Sequence, residues 1–452
     1  MSIFDTGFLS YHNNKCAYVQ EDMDYILTPV NDNSNILKYD EKKNYKISFC
    51  SPSKEACIIS VKEHIPEVLN LHGVVRLKLN YITKKLSENE IDGFIMEGKE
   101  IDEFFSPIEY FYRMKHSEKA VSCNYLYEKE TVKRYQFKFN KKPVTVDLNY
   151  GNILSEGLAS DATLHAKLYI HIERTTDTDY IFQVSEIIKK FLQFVLRKTT
   201  LNLKPFKLFH LTSENKTSIL GFMISSIYHP ESRANNGINA TFLEYGEKLN
   251  NLLSIIASEE DFPTQFLETT DVCEYSSKNV GMLSSAFEYE YRKGNIYEKK
   301  SSMNDLNVKT DLLNYINTYT PKNELEKNYI GIVRDKVSKI GSEIGLTQRI
   351  INAFIGNKNI LNSLFDLKKE PDLNNFVKKT AKMFVGVRGK TVHDKPDYLL
   401  NNKEQKSIRL IEILRFVMVL RRADYIDKEI EQIIGLVFWC NNSLLNSSNA
   451  QE

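Results

Sequence analysis

The sequence predicts an α+β chain of two domains: a β-rich N-terminal domain, built as an antiparallel sheet or sandwich, followed by an all-α helical bundle. Three observations carry this expectation. At 452 residues the chain is too long for one hydrophobic core. Through its first part, short runs alternate polar with apolar residues, the period of a half-buried antiparallel strand. From about residue 276 that period disappears, and apolar residues recur at helical spacing instead.

The strand signals lie between about residues 15 and 175. Tyr45-Lys46-Ile47-Ser48-Phe49, Val74-Val75-Arg76-Leu77-Lys78-Leu79 and Gln136-Phe137-Lys138-Phe139 alternate between two faces and are separated by Asn, Asp and Gly turns. Leu168-Tyr169-Ile170-His171-Ile172-Glu173 predicts one more strand. Tyr180 to Val195 then takes helical spacing, ends near Arg197-Lys198 and is expected to close the sheet. Turn formers cluster at His229-Pro230-Glu231-Ser232-Arg233-Ala234-Asn235-Asn236-Gly237 and mark a loop or hinge. A short helix from Glu244 to Ala257 is expected to bridge to the next domain. The resulting division is a β-rich domain over 1–240, a linker with its bridging helix over 241–275, a helical domain over 276–440 and a polar tail over 441–452.

Eight helices are expected in the second half: Lys278 to Lys293, Val308 to Tyr319, Asn323 to Ser338, Leu346 to Phe354, Ile360 to Lys368, Leu373 to Val387, Glu404 to Arg421 and Ile426 to Trp439. Gly, Asn, Asp and Pro breaks join them. Glu404 to Arg421 is apolar almost all round, through Ile408, Leu410, Ile411, Ile413, Leu414, Phe416, Val417, Met418, Val419 and Leu420. Two readings fit such a helix: it is enclosed at the centre of its own domain, or its surplus apolar surface supplies an oligomer interface.

Composition narrows the classes. Hydrophobic residues make up 42% and charged residues 26%, ordinary values for a globular protein. The formal net charge is +1, so any nucleic-acid surface must be a local patch. Cys16, Cys50, Cys57, Cys123, Cys273 and Cys440 form no CxxC pair and no histidine stands near them at ligand spacing, which reads as reduced thiols in a cytoplasm and predicts no metal. The start, MSIFDTGFLSYHNNK, lacks the pattern of a secretory signal, and no apolar run approaches the ~20 residues of a membrane span. His165 and His171 share a strand face without a Cys, Asp or Glu to complete a metal set, and read as structural histidines. No P-loop or dinucleotide-type glycine loop is present, so no cofactor is expected.

The residues that carry chemistry are Arg388-Gly389-Lys390-Thr391-Val392-His393, at the end of the run Phe376 to Val387 and followed by Asp394 and Pro396. With 14 arginines and 9 histidines in 452 positions, RxxxxH arises by chance about 0.3 times per chain, so its setting at a helix end matters more than its spacing. Cleavage of RNA by its own 2′-hydroxyl needs a base, an acid for the leaving 5′-oxygen, and positive charge on the crowded phosphorane. Histidine titrates near neutrality and arginine presents a fixed fork of donors to phosphate, so the pair suffices without a metal. In a straight α-helix residues five apart diverge by about 140°, so convergence of Arg388 and His393 requires a break, which Gly389 permits. One histidine cannot be base and acid in one event; two His393 side chains from two protomers solve this. Between Phe376 and Arg422, twelve Lys/Arg stand against four acids, a local excess of +8. Lys390 and Lys395 flank the motif as candidate phosphate contacts. The competing reading makes Arg388 a helix C-terminal cap and the basic run a solvated face.

Together with Met282-Leu283-Ser284-Ser285-Ala286-Phe287-Glu288-Tyr289-Glu290-Tyr291-Arg292-Lys293, the RxxxxH element resembles the HEPN ribonuclease superfamily, and more narrowly its ApeA-type branch. Members of that branch pair a β-rich N-terminal domain with a C-terminal HEPN bundle and belong to bacterial anti-phage defence. Their first bundle helix commonly carries an apolar-Glu-apolar pattern ending in basic residues, which Phe287-Glu288-Tyr289 and Arg292-Lys293 match. The resemblance covers Asn279 to Trp439 and extends to the N-terminal domain through Phe191-Leu192-Gln193-Phe194. The family's arginine is commonly followed by a polar residue, often Asn, where this chain has Gly389. The resemblance implies a metal-independent endoribonuclease acting on RNA, tRNA among the candidates, with Arg388 and His393 catalytic and a homodimer or higher even-numbered oligomer as the active form. Glu288 is the candidate to orient either catalytic residue. The N-terminal domain would sense a phage-derived trigger or restrain the nuclease. Two other readings remain open: a catalytically silent scaffold that binds RNA or a partner, and a toxin held by a separate antitoxin.

Overall fold

In the computed structural model, the described residues are 4–11, 14–30, 45–51, 56–69, 72–84, 90–116, 131–153, 163–214, 216–226, 240–264, 266–267, 274–294, 303–338, 345–365, 373–391 and 398–438. The chain forms two compact units, Met1–Gln265 and Phe266–Glu452. The first is built on antiparallel sheet and the second on helices, an α+β organisation in two parts. Among the described residues no helix is long and apolar enough to cross a membrane.

Among the described residues the first unit contains twelve strands: β1 (Phe4–Tyr11), β2 (Asn14–Glu21), β3 (Asp24–Pro29), β4 (Tyr45–Cys50), β5 (Ala56–Leu69), β6 (His72–Lys84), β7 (Ile91–Met96), β8 (Lys133–Phe139), β9 (Lys142–Ile153), β10 (Thr163–Thr175), β11 (Phe206–Leu211) and β12 (Thr217–Ile224). Their main path runs β1-β2-β3-β6-β12-β11-β7-β10-β9-β8, with the β4–β5 hairpin joined to β6 through β5. The long strand β6 explains how this sheet holds two cores. One edge pairs with β5, while the other pairs first with β3 over Val75–Lys78 and then with β12 over Ile82–Lys84. Strands β1 to β6 wrap a core that includes Tyr18, Tyr25, Leu27, Ile59, Val75 and Leu77, and β4 returns against β1. Alternation produces this directly, because one residue in two points inward.

The second half of the sheet is covered by helices. The helix α3 (Thr178–Leu196) starts at Asp177, whose side chain accepts from the Asp179 N–H, and buries an apolar face from Tyr180 to Leu196. The Tyr81 hydroxyl donates to Asp179 Oδ1 at 2.6 Å and fixes the helix start over the sheet. Two helices between β7 and β8, α1 (Lys99–Phe105) and α2 (Pro107–His116), lie inside a region whose sequence reads as strand. They pack on β10, and Asp102 secures α1 there by accepting from the Ala166 N–H at 2.7 Å and meeting His165 Nδ1 at 2.7 Å. Sheet and ring approach most closely at Gly93, where a Cβ would stand 2.2 Å from the Ile170 carbonyl oxygen and 2.5 Å from Phe209 Cζ. The helix expected to bridge the domains is instead a short turn, α4 (Phe242–Tyr245), followed by α5 (Leu249–Ser258), which packs against β8 and α3 within the first unit. Its buried Leu249, Leu252, Leu253 and Ile256 find their apolar partners there, so the units divide at 265/266. The turn-rich segment His229 to Gly237 lies outside the described residues.

The second unit contains, among the described residues, α6 (Ser277–Lys293), α7 (Met303–Thr318), α8 (Glu324–Ser338), α9 (Leu346–Gly356), α10 (Lys358–Phe365), α11 (Leu373–Gly389), α12 (Asn402–Arg422) and α13 (Asp427–Val437). Helix α12 is the centre, touching α6, α9, α11 and α13. Its residues from Ile411 to Leu420 are buried without interruption, which explains its all-round apolar character. Of the two readings of this helix, enclosure from Ile411 to Leu420 is the one observed. Asn401 caps it, accepting from the Lys403 and Glu404 N–H groups, while Glu404 reaches back to the Asn401 N–H. An ion pair ties its far end to α6, with Arg422 Nη2 at 2.8 Å from Glu290 Oε1.

Candidate functional site

Helix α11 buries Val377, Thr380, Ala381, Phe384 and Val387, a stripe that sets its rotation against the bundle. Arg388 follows the last of these and emerges at the stripe's edge, with 37% of its side chain exposed. It lies in the last turn, where the helix dipole favours a cation. The helix does not break at Gly389. It continues as a wider, π-type turn at Lys390 and Thr391, and the Thr391 hydroxyl donates to the Arg388 carbonyl at 3.3 Å. Backbone bonds in such a turn span five residues. His393 and Lys395 themselves lie outside the described residues.

Helix α6 presents Glu288 to Arg388. Its buried Val280, Leu283, Phe287 and Tyr291 face the bundle, which leaves Glu288 at the rim, 22% exposed. Glu288 Oε1 stands 4.0 Å from Arg388 Nη2. Its Oε2 accepts a 2.8 Å hydrogen bond from Arg349 Nη1 on α9 and lies 3.7 Å from Arg292 Nη2 one turn along α6. Three guanidinium groups from three helices therefore gather round one carboxylate, with two positive charges in excess. Arg349 is the most enclosed of the three, at 12% exposure, and α9 is further held to α6 by a bond from Asn352 Nδ2 to the Tyr291 hydroxyl at 3.3 Å. A carboxylate that both orients and only partly neutralises a group of arginines leaves planar donors fixed in space, and such donors suit phosphate oxygens. Sequence reasoning singled out Arg388 and Glu288 but missed Arg349, which stands 61 positions from Glu288 with no local pattern linking them.

Lys390 is engaged on the protein itself. Its Nζ donates to the Tyr398 hydroxyl at 3.3 Å and to Glu404 Oε1 at 3.4 Å, and lies 4.9 Å above the Tyr398 ring. Tyr398 in turn donates to Glu404 Oε1 at 3.0 Å. The Tyr398 hydroxyl, with Glu404 behind it, raises the Lys390 ammonium above its ordinary value. Burial alone would raise the Glu404 carboxyl, but the Asn401 N–H, Tyr398 and Lys390 outweigh it and hold the group below the usual carboxylate range. Lys390 thus fastens the end of α11 to the start of α12.

Part of the basic excess between Phe376 and Arg422 is engaged inside the unit. Arg415 is buried and lies over the Phe266 ring at 5.0 Å. Arg421 pairs with Asp427 at 2.8 Å, Arg422 with Glu290, and Arg409 donates to the Phe438 carbonyl. Lys378, Lys379 and Lys382 on α11 do face solvent. His171 meets Asp147 at 3.6 Å and the edge of the Phe209 ring, and burial lowers its pKa. Comparison with family models, with curated proteins and with solved structures returns no match.

Proposed function

We propose that the second unit is a metal-independent HEPN-type endoribonuclease that cleaves RNA, tRNA among its substrates, in anti-phage defence. The observation that carries this reading is the group formed by Arg388, Glu288 and Arg349 at the end of α11, five residues before His393. In the proposed reaction, His393 takes the proton from a ribose 2′-hydroxyl, whose oxygen attacks the adjacent phosphorus. Arg388, held by Glu288, stabilises the charge on the non-bridging oxygens, and His393 of a second protomer protonates the leaving 5′-oxygen. The products are a 2′,3′-cyclic phosphate and a 5′-hydroxyl. DNA, which lacks the attacking group, is resistant. The β-rich first unit takes the sensing or restraining role, an assignment by analogy of architecture.

The test compares wild type, Arg388→Ala and His393→Ala on total tRNA in EDTA, with end-group analysis. Loss of cleavage in both variants with EDTA harmless to wild type is the expected result. A 5′-phosphate at the cut, or equal cleavage by all three proteins, overturns the mechanism. Salt-sensitive RNA binding with no cleavage, unchanged in His393→Ala, favours the scaffold reading instead.

A further inference from the structure

Glu288 treats its arginine neighbours unequally. Its Oε2 accepts from Arg349 Nη1 at 2.8 Å, while Arg388 Nη2 stands 4.0 Å from Oε1, beyond the length of a hydrogen bond. The guanidinium that the carboxylate fixes is therefore the one on α9, and Arg388 is attracted at longer range. Helix α9 buries Ile350, Ala353 and Phe354, which leaves Arg349 at the rim beside α6 with 12% of its side chain exposed. Among the described residues Arg349 donates one hydrogen bond, and the rest of its fork opens to solvent.

A pair that only tied α9 to α6 would be complete with Arg349 and Glu288. Arg292 at 3.7 Å and Arg388 at 4.0 Å bring two further cations to the same carboxylate, and among the described residues no second carboxylate meets any of the three. Like charges gathered this closely repel, and a bound anion removes the repulsion. The anion cannot sit on Glu288, which would repel it, so it must meet each guanidinium on the side turned away from that carboxylate. Arg349 and Arg388 flank opposite oxygens of Glu288, and their outward sides are therefore separate places. A lone phosphate fills one of them. A strand with phosphates at regular intervals fills both, and the planar fork of arginine suits each phosphate.

We propose that Arg349 binds the phosphodiester next to the one that is cut, so that the second unit engages an RNA strand through two consecutive phosphates. Arg388 acts on the scissile phosphate, Arg349 anchors its neighbour, and Glu288 is the positioning residue of the anchor. Which phosphate is cut rests on the nuclease reading; the anchor itself is a matter of binding, and the two are measured apart on the full chain. Binding is followed with total tRNA and the His393→Ala protein over a range of salt concentrations. Adding Arg349→Gln, whose amide can still donate to Glu288, is expected to weaken binding about tenfold and to lower the slope of log affinity against log salt by about one. Arg349→Lys, which keeps the charge and loses the fork, should keep the slope and recover part of the affinity. With His393 present, Arg349→Lys is expected to raise KM far more than it lowers kcat, because a phosphate that does not react is bound alike in ground and transition states; Arg388→Ala lowers kcat. Binding that depends on Arg349 in this way, with no cleavage by any protein, supports the anchor and removes the nuclease reading. Cleavage by a protein whose affinity and salt slope are untouched by Arg349→Gln overturns the anchor, reduces Arg349 and Glu288 to a tie between helices, and leaves the nuclease reading standing. A wild type that binds no tRNA overturns both.

Discussion

Helix α12 and the α7–α8 hairpin are both rich in apolar residues, yet among the described residues α12 is buried without interruption from Ile411 to Leu420 and α8 buries none. The difference lies in angular distribution. Around α12 apolar side chains occupy every direction from Ile411 to Leu420, and α6, α9, α11 and α13 meet them. On α7 and α8 they form stripes, and the hairpin can bury only the inner edge of each against its own partner helix. A full wheel needs neighbours on every side, whereas a stripe needs them on one.

Substitutions sharpen this contrast, read through the fluorescence of the single tryptophan, Trp439, during denaturant unfolding of the full chain. The largest loss is expected for Leu414→Ala, at 0% exposure in the middle of α12, by about 3 to 4 kcal/mol. Glu290→Ala, which removes the carboxylate paired with Arg422 at the end of the same helix, should cost about 3 kcal/mol; a loss below about 1 kcal/mol would mean that the pair does not clamp α6 to α12. Glu404 adds a pH-dependent contribution. Its folded pKa is depressed, so its stabilisation is present above the unfolded value of about 4.3 and is lost as the pH falls through the folded one. Glu404→Gln should therefore flatten the acid limb of the stability profile and lower the plateau near neutrality; an unchanged profile would break the link between α11 and α12 that Lys390, Tyr398 and Glu404 form. Smallest is Tyr329→Ser on α8, 62% exposed and expected to alter unfolding by less than about 0.5 kcal/mol. A loss as large as that of Leu414→Ala would place Tyr329 in a core and remove the contrast.

Helices were legible where the pattern was local. Local signals placed α6, α9 and α11 to within a few residues: Ser276 caps the start of α6, and Gly294, Gly356 and Gly389 stand at or beside the three ends. Helices α1 and α2 were missed because seven and ten residues between strands give too few turns for a period to show. The site divides in the same way. Arg388 stands out through its local spacing and Glu288 through the pattern of its helix. Arg349 reaches Glu288 only once α9 has packed on α6, and Lys390 finds Tyr398 and Glu404 only when the start of α12 lies beside the end of α11. Such partners depend on tertiary closure, which leaves no periodic trace in the chain.

The π-type turn at Lys390 and Thr391 carries one consequence for how this segment tolerates change in length. A helix that widens by one residue holds a surplus residue in its spiral, so loss of any one residue across 389–391 can be absorbed by relaxation to ordinary α geometry. The backbone would be continuous and no less well bonded, and the chain beyond would keep its direction, whereas the same deletion from the ordinary α-turns of α11 rotates it by about 100°. Deletions within 389–391 therefore shorten the motif without turning it, deletions earlier in α11 turn it without shortening it, and the two kinds of variant separate the content of the motif from its direction.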